Sequence, residues 1–109
     1  MKSFFIALTV VLISSAAVAD GGPAMTVGSA PTELSQEDCM TKAARVTRNI
    51  GYTQNFEKVG RTVYGESGTY TSAIRCEAAS KLVIFIVAGP ASKITNAVHA
   101  KLKETFAAP

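Results

Sequence analysis

The hydrophobic and polar positions along this chain follow two different periods, which predicts helices and strands in one domain. Between residues 35 and 51 the apolar positions recur every three or four residues, as on one face of a helix. Ser35 is a favourable N-cap residue and Gly51 is a typical helix end. The apolar face of this helix consists of Cys39, Ala43, Val46 and Ile50.

A second helix is predicted near the C-terminus. Proline is tolerated in the first turn of a helix, so this helix is expected to begin at Pro90 or Ser92. Its apolar stripe has a spacing of four residues and consists of Ile94, Val98, Leu102 and Phe106.

Between the two helices the apolar positions alternate, as in strands with one buried face. Residues 61–64 and 69–77 predict a hairpin, and a turn at 66–67 would place Val63 opposite Tyr70. One face of the hairpin would carry Val63, Tyr70, Ser72, Ile74 and Cys76, and the other would carry Tyr64, Thr69, Thr71, Ala73, Arg75 and Glu77.

Two further strands accompany the hairpin. Residues 52–59 alternate around Phe56, whereas residues 82–88 are apolar at every position. A strand without alternation is typically covered on both faces, so 82–88 is expected to be central. The order of elements predicts an α+β domain, with two helices packed on one face of a three- to four-stranded antiparallel sheet.

The N-terminus has the three parts of a secretory signal peptide. Lys2 precedes an apolar run, and small residues stand at 17–19, so cleavage is expected between Ala19 and Asp20. The apolar stretch is shorter than the roughly 20 residues that span a bilayer, which argues against an uncleaved membrane anchor. The mature protein is therefore expected in the periplasm or outside the cell, without a transmembrane segment.

These boundaries divide the chain into three parts. Residues 1–19 are the signal peptide, 20–34 a flexible N-terminal arm, and 35–109 a single α+β domain. Glycine, proline and alanine dominate the arm, in which residues 25–27 are the only candidate for a short edge strand.

In an oxidising compartment the two cysteines predict a disulfide between Cys39 and Cys76. Both lie on predicted apolar faces, one on the helix and one on the hairpin, so two separate patterns agree. The bond would close a loop of about 38 residues, for which chain entropy gives roughly 4 kcal/mol of stabilisation. Two buried free thiols are the alternative.

Charge excludes some classes of partner. Without Lys2, ten basic residues stand against eight acidic ones, a balance too mild to predict nucleic-acid binding. Lys42, Arg45 and Arg48 give the first helix a basic flank. Ordinary solvation explains such a flank, and weak attraction to an anionic envelope surface is the alternative.

No catalytic or metal-binding pattern emerges from the sequence. His99 is the only histidine, and no Gly-x-Ser-x-Gly motif accompanies it. A zinc site would need both cysteines and His99, but the intervals are long and the cysteines fit a disulfide better. We therefore predict a protein that is not an enzyme and has no cofactor or metal.

The sheet face opposite the helices is the candidate partner surface. On the hairpin it would carry Tyr64, Thr71 and Ala73, joined by one alternating set of the central strand. We assign Val83, Phe85 and Val87 to it, and the other set, Leu82, Ile84 and Ile86, is the alternative. An apolar patch of this kind would suit a protein, a small molecule or a second copy, unless the N-terminal arm covers it.

Three segments carry a resemblance to a known group of proteins. They are Gly51-Tyr52, Gly68-x-Tyr70-x-x-Ala73-Ile74-Arg75-Cys76 and Val87-Ala88-Gly89-Pro90. The chain resembles small uncharacterised exported proteins of proteobacteria, which implies a periplasmic setting and assigns no activity or site residue. We predict an exported, non-enzymatic binding domain that uses an apolar sheet face. An envelope inhibitor or immunity-type protein that blocks a secreted enzyme is the alternative.

Overall fold

The computed structural model describes residues 23–109, which form an α+β domain with a five-stranded antiparallel sheet and two helices. The predicted signal peptide and its cleavage site at Ala19 and Asp20 lie outside the described residues. The strands are β1 (Ala24–Pro31), β2 (Gln54–Val59), β3 (Thr62–Ser67), β4 (Tyr70–Glu77) and β5 (Leu82–Gly89), and the helices are α1 (Gln36–Asn49) and α2 (Ser92–Ala107).

The sheet order is β1-β5-β4-β3-β2, and every neighbouring pair is antiparallel. The predicted number of three to four strands is therefore wrong, and the extra strand comes from the N-terminal arm. All eight residues of β1 pair with β5, from Ala24 opposite Gly89 to Pro31 opposite Leu82. This pairing places β5 inside the sheet, as the uninterrupted apolar run predicts.

The first helix begins where its sequence predicts. The Ser35 hydroxyl accepts a hydrogen bond from the Asp38 N–H at 3.1 Å, which satisfies one of the free donors of the first turn. Gln36 ties the same end of the helix to β4. Its amide donates to the Cys76 carbonyl at 2.8 Å and accepts from the Ala78 N–H at 3.0 Å.

Both helices cover the same face of the sheet. The predicted disulfide between Cys39 of α1 and Cys76 of β4 is present, with a Cα–Cα distance of 6.1 Å. On α2, the Phe106 ring meets the Phe85 ring edge to face, with 5.5 Å between centroids. The fully buried core between the layers includes Cys39, Ala43, Val63, Ile74, Cys76, Val83, Phe85, Val87 and Leu102.

The predicted stripe of α2 is buried only in its C-terminal half. Leu102 and Phe106 are buried, whereas Ile94 is 44% exposed and its neighbour Thr95 is fully buried. The Thr95 hydroxyl lies 2.9 Å from the Thr26 hydroxyl of β1, so a polar pair joins the start of the helix to the edge of the sheet.

The hairpin turn lies two residues later than predicted. Ser67 pairs with Tyr70 around Gly68, which has a φ of 61°, so the proposed turn at 66–67 is wrong. Val63 consequently lies opposite Ile74 and not Tyr70. Because side chains alternate with a period of two, this slip keeps each residue of β3 and β4 on its predicted face, whereas Thr69 lies in the turn.

Candidate functional site

Strand β5 turns toward the helices the same set of side chains that the sequence pattern assigned to the partner face. Val83, Phe85 and Val87 are 0% exposed and lie in the core, which corrects their assignment. Their cross-strand partners on β4 are Cys76, Ile74 and Ser72, all buried. The alternative set, Leu82, Ile84 and Ile86, lies on the uncovered side and is partly exposed.

We call this uncovered side the open face. Its centre is an apolar band in which Val27, Ile86, Ala73 and Tyr64 are paired side by side across four strands. Thr71 pairs with Ala88 and lies beside the band on the same face, so the assignments of Tyr64, Thr71 and Ala73 agree with the register. At the free edge, Met25 and Val27 are 62% and 58% exposed.

The N-terminal arm extends the open face and does not fold over it in residues 24–31. These residues form β1 in the plane of the sheet, with Met25 and Val27 directed to the open face. The positions of β1 directed to the helices are Thr26, Gly28 and Ala30, which are small or polar. The strand thus buries no large side chain.

One end of the open face is acidic. Glu57 pairs with Tyr64, and Glu66 pairs with Thr71. Together with Asn55 and Val59 these residues line a cavity of about 400 Å³. The Asn55 amide donates to the Glu66 carboxylate at 2.8 Å. Glu66 lies two residues from the band along β3 and is the acidic end, whereas Glu57 lies level with the band on the edge strand β2.

The opposite end of the open face carries a network of charges. Arg61 Nη1 donates to Glu77 Oε1 at 2.8 Å, and Arg75 Nε donates to Glu77 Oε2 at 2.5 Å. The hydrogen bond from Arg75 is the main cause that lowers the pKa of Glu77. Two guanidinium groups share one carboxylate, so this basic end keeps a net positive charge.

His99 belongs to α2, and its ring packs against Gly28 of β1. Its ring meets the Phe85 ring edge to face at 6.3 Å between centroids, and its Nε2 is buried without a hydrogen-bond partner among residues 23–109. Burial lowers the pKa of His99, and the nearby Lys103 lowers it further, while the Phe85 backbone acts in the opposite direction. The contact with Phe85 is a packing contact of the ring.

Metal-ligating residues do not converge in the part of the chain that the structure covers. Within residues 23–109, no three His, Cys, Asp or Glu side chains come together as a metal site. The disulfide uses Cys39 and Cys76. No helix in this same range is long and apolar enough to cross a membrane.

A second concave surface, which the sequence pattern does not predict, lies between α1 and β2. Its volume is about 310 Å³. The basic flank of the first helix indicates half of it, through Arg45 and Arg48. The other half is formed by Lys58, and only the position of β2 in the fold places this residue next to the helix. The lining residues are Thr41, Ala44, Arg45, Arg48, Asn49 and Lys58.

Comparison with known proteins adds no relative. No protein-family model matches this chain, and no curated protein or solved structure shows significant similarity to it. The features of this protein that bear on its function are the open face, the charges at its two ends and the cavity beside α1.

Proposed function

We propose that this chain is an exported, non-enzymatic interaction domain that buries the open face of its sheet against a second copy of itself. The apolar band Val27-Ile86-Ala73-Tyr64 is the observation that carries the proposal. Sheets with one solvated face normally place polar side chains on that face. Here the band stays apolar across four strands, as in a face that packs against another layer.

The size of the open face suits a dimer. Five strands of six to eight residues, spaced about 4.8 Å apart, give a footprint of roughly 24 Å by 20–26 Å. This footprint is near the roughly 600–800 Å² that each partner contributes to a stable protein interface. Because side chains project from the sheet, the accessible area of the open face is larger than this flat footprint. The open face alone is therefore large enough for a dimer interface.

The two charged ends make the open face complementary to itself. Glu66 pairs with Thr71 near one end of β4, and Arg75 lies four residues further along the same strand, about 13 Å away. A two-fold axis in the interface, perpendicular to the strands, would place the acidic end of one copy over the basic end of the other. Two-fold dimers require this kind of self-complementary surface. A second copy therefore fits the face better than an uncharged apolar ligand.

Sedimentation equilibrium and native mass spectrometry of the oxidised protein test the dimer. The expected result is a concentration-dependent dimer that Val27→Lys weakens at least about tenfold, because the substitution buries a charge in the interface. Val27 is 58% exposed at the sheet edge, so this variant should fold. Ile86→Lys tests the centre of the band.

Ile94→Lys is the matched control, since Ile94 is 44% exposed on α2 away from the open face. It introduces the same charge and should leave the dimer intact. A protein that stays monomeric at about 1 mM, where even weak complexes form, would overturn the proposal. Equal weakening by Val27→Lys and Ile94→Lys would also contradict it.

Export is part of the same proposal. The disulfide supports an oxidising compartment, and the leader pattern of residues 1–19 supports secretion or release to the periplasm. The resemblance to exported proteobacterial proteins is in accord with this location. Intact mass of the protein recovered from the periplasm or medium should correspond to a chain that begins at Asp20. A mass that includes residues 1–19 would contradict cleavage.

A further inference from the structure

The cavity between α1 and β2 is cationic. Arg45 and Arg48 stand three residues apart on the helix, and Lys58 closes the cavity from the strand. No acidic side chain lines this cavity. Like charges at such spacing destabilise a helix slightly, so the cluster does not stabilise the fold by itself.

Arg48 is held in place by an aromatic ring. Its guanidinium carbon lies 4.1 Å from the centroid of Phe56. Stacking of this kind fixes the plane of the guanidinium and leaves its N–H donors free at the edge. An ordered arginine loses less conformational entropy when it binds an anion than a freely rotating one.

The three cations have no counter-ion in the described part of the protein. Within residues 23–109, no ion pair or side-chain hydrogen bond engages Arg45, Arg48 or Lys58. Among the other described cations, Glu77 pairs with Arg61 and Arg75, and Glu33 pairs with Lys81 at 3.2 Å, whereas the remaining lysines are in no ion pair within residues 23–109. The cavity is distinguished because three cations without a counter-ion line one concave surface.

The cavity lies near the C-terminal end of α1, where the helix dipole is negative and disfavours anions. The helix cap reduces this effect locally. Gly51 N–H donates to the Arg48 carbonyl at 2.9 Å, and Tyr52 N–H donates to the Thr47 carbonyl at 3.1 Å. Three full positive charges outweigh the remaining partial charge of about half a unit.

We propose that this cavity binds a phosphate group. Guanidinium forks match phosphate oxygens with two parallel hydrogen bonds, and the ammonium group of Lys58 adds a third charge-assisted donor. Thr41 and Asn49 also line the cavity, and the side chains of both contain neutral donors. The phosphate can belong to a small soluble anion or to the headgroup of an anionic phospholipid, since both present the same oxygens.

Nuclear magnetic resonance titration with inorganic phosphate tests the site in the oxidised protein. Saturable shifts are expected for backbone amides of residues 41–49 and 58. Arg48→Gln and Lys58→Gln should each weaken phosphate binding by about tenfold, the usual effect of losing one charge-assisted contact. Arg48→Lys keeps the charge but loses the fork, so its affinity should also fall.

Lys93→Gln is the matched control, because it removes one positive charge from α2, outside the cavity. It should leave the phosphate affinity unchanged. An absence of saturable shifts, or an equal loss in Lys93→Gln and Arg48→Gln, would overturn the site.

Vesicles of phosphatidylglycerol and of phosphatidylcholine distinguish the two sources. A lipid headgroup would be identified if the protein binds phosphatidylglycerol vesicles, if Arg48→Gln abolishes this binding and if inorganic phosphate competes with it. Phosphate binding without vesicle binding would identify a soluble anion.

Discussion

Gly28 of β1 lies directly against the imidazole of His99 on α2. A Cβ atom built at Gly28 would lie 2.6 Å from His99 Cε1 and 2.7 Å from Nε2, so only glycine leaves room for the ring. This close contact, together with the hydrogen bonds between the Thr26 hydroxyl and the side chains of Thr95 and Asn96, joins the strand to the helix.

Gly28→Ala should therefore destabilise the protein by about 1–3 kcal/mol, the usual cost of overpacking. In the His99→Ala background the added methyl group enters the space that the ring leaves, so the same substitution should cost much less. Urea denaturation of the four proteins of this double-mutant cycle measures the coupling. Equal costs of Gly28→Ala in both backgrounds would contradict direct contact.

The same ring predicts a pH dependence of folding. Burial and Lys103 lower the pKa of His99 in the folded protein below its ordinary value of 6.5. The unfolded chain then binds the proton first as pH falls, so the contribution of His99 to stability is complete above pH 6.5 and declines below it.

The free energy of unfolding between pH 8 and about 5.5, where histidine titrates, measures this effect. In His99→Gln the decline over that range should disappear. A decline of the same size in the variant would assign it to other groups.

The disulfide should contribute most of any single feature to stability. Replacing both cysteines by alanine should lower the free energy of unfolding by about 4 kcal/mol, from the entropy of the opened loop. Gln36→Ala is a useful comparison, because it removes the hydrogen-bonded link between the same elements and should cost about 1–2 kcal/mol. Guanidinium denaturation under oxidising conditions measures both. A smaller loss from the double cysteine variant than from Gln36→Ala would contradict this order.

Gly65 of β3 packs against the turn that follows α1. A Cβ at this position would lie 2.2 Å from the Tyr52 carbonyl oxygen and 2.6 Å from Thr47 Cγ2, so Gly65→Ala forces the backbone to move. We expect a loss of about 3 kcal/mol. Gly60→Ala is the control: nothing lies near its Cβ position, and only its φ of 62° opposes the change, at about 1 kcal/mol. Thermal melts of both variants should show the larger shift for Gly65→Ala.

The sequence predicts the elements whose pattern and local signals agree. Helix α1 has a capping residue, an apolar face and a stop, and the structure begins it after Ser35 as expected. The disulfide is predictable because Cys39 lies on the apolar face of the helix and Cys76 lies on the inner face of the hairpin. The error in the position of the hairpin turn does not change the predicted faces of β3 and β4, since a shift of two residues keeps their side chains on the same side of the sheet.

Strand β1 could not be recognised in full from local patterns. Its apolar residues, Met25 and Val27, lie on the open face, and its inner positions, such as Gly28, are small because α2 lies close above them. The usual signal of an apolar inner face is thus reversed. Only the antiparallel pairing with β5 defines the strand.

The hydrophobic pattern of β5 does not determine which of its two faces meets the helices. Both of its alternating sets are apolar, so periodicity does not distinguish the face under the helices from the open face. The register with β4 decides, because it sets Phe85 beside Ile74 in the core and Ile86 beside Ala73 on the open face. The part of the cationic cavity that Lys58 forms could not be predicted for a similar reason. Local patterns do not show that β2 places Lys58 next to α1.

The direct pairing of Ala24 with Gly89 also determines how the domain would respond to tension along the chain. Once α2 has unravelled, a force on the two chain ends would pull these paired residues apart and unzip β1 from β5 one pair at a time, as far as Pro31 and Leu82. Extension would then stop at the disulfide, which spans 37 residues and withholds roughly 120 Å of contour length. Under load the protein would thus yield easily at its sheet edge and resist at its covalent loop until a reductant opens it.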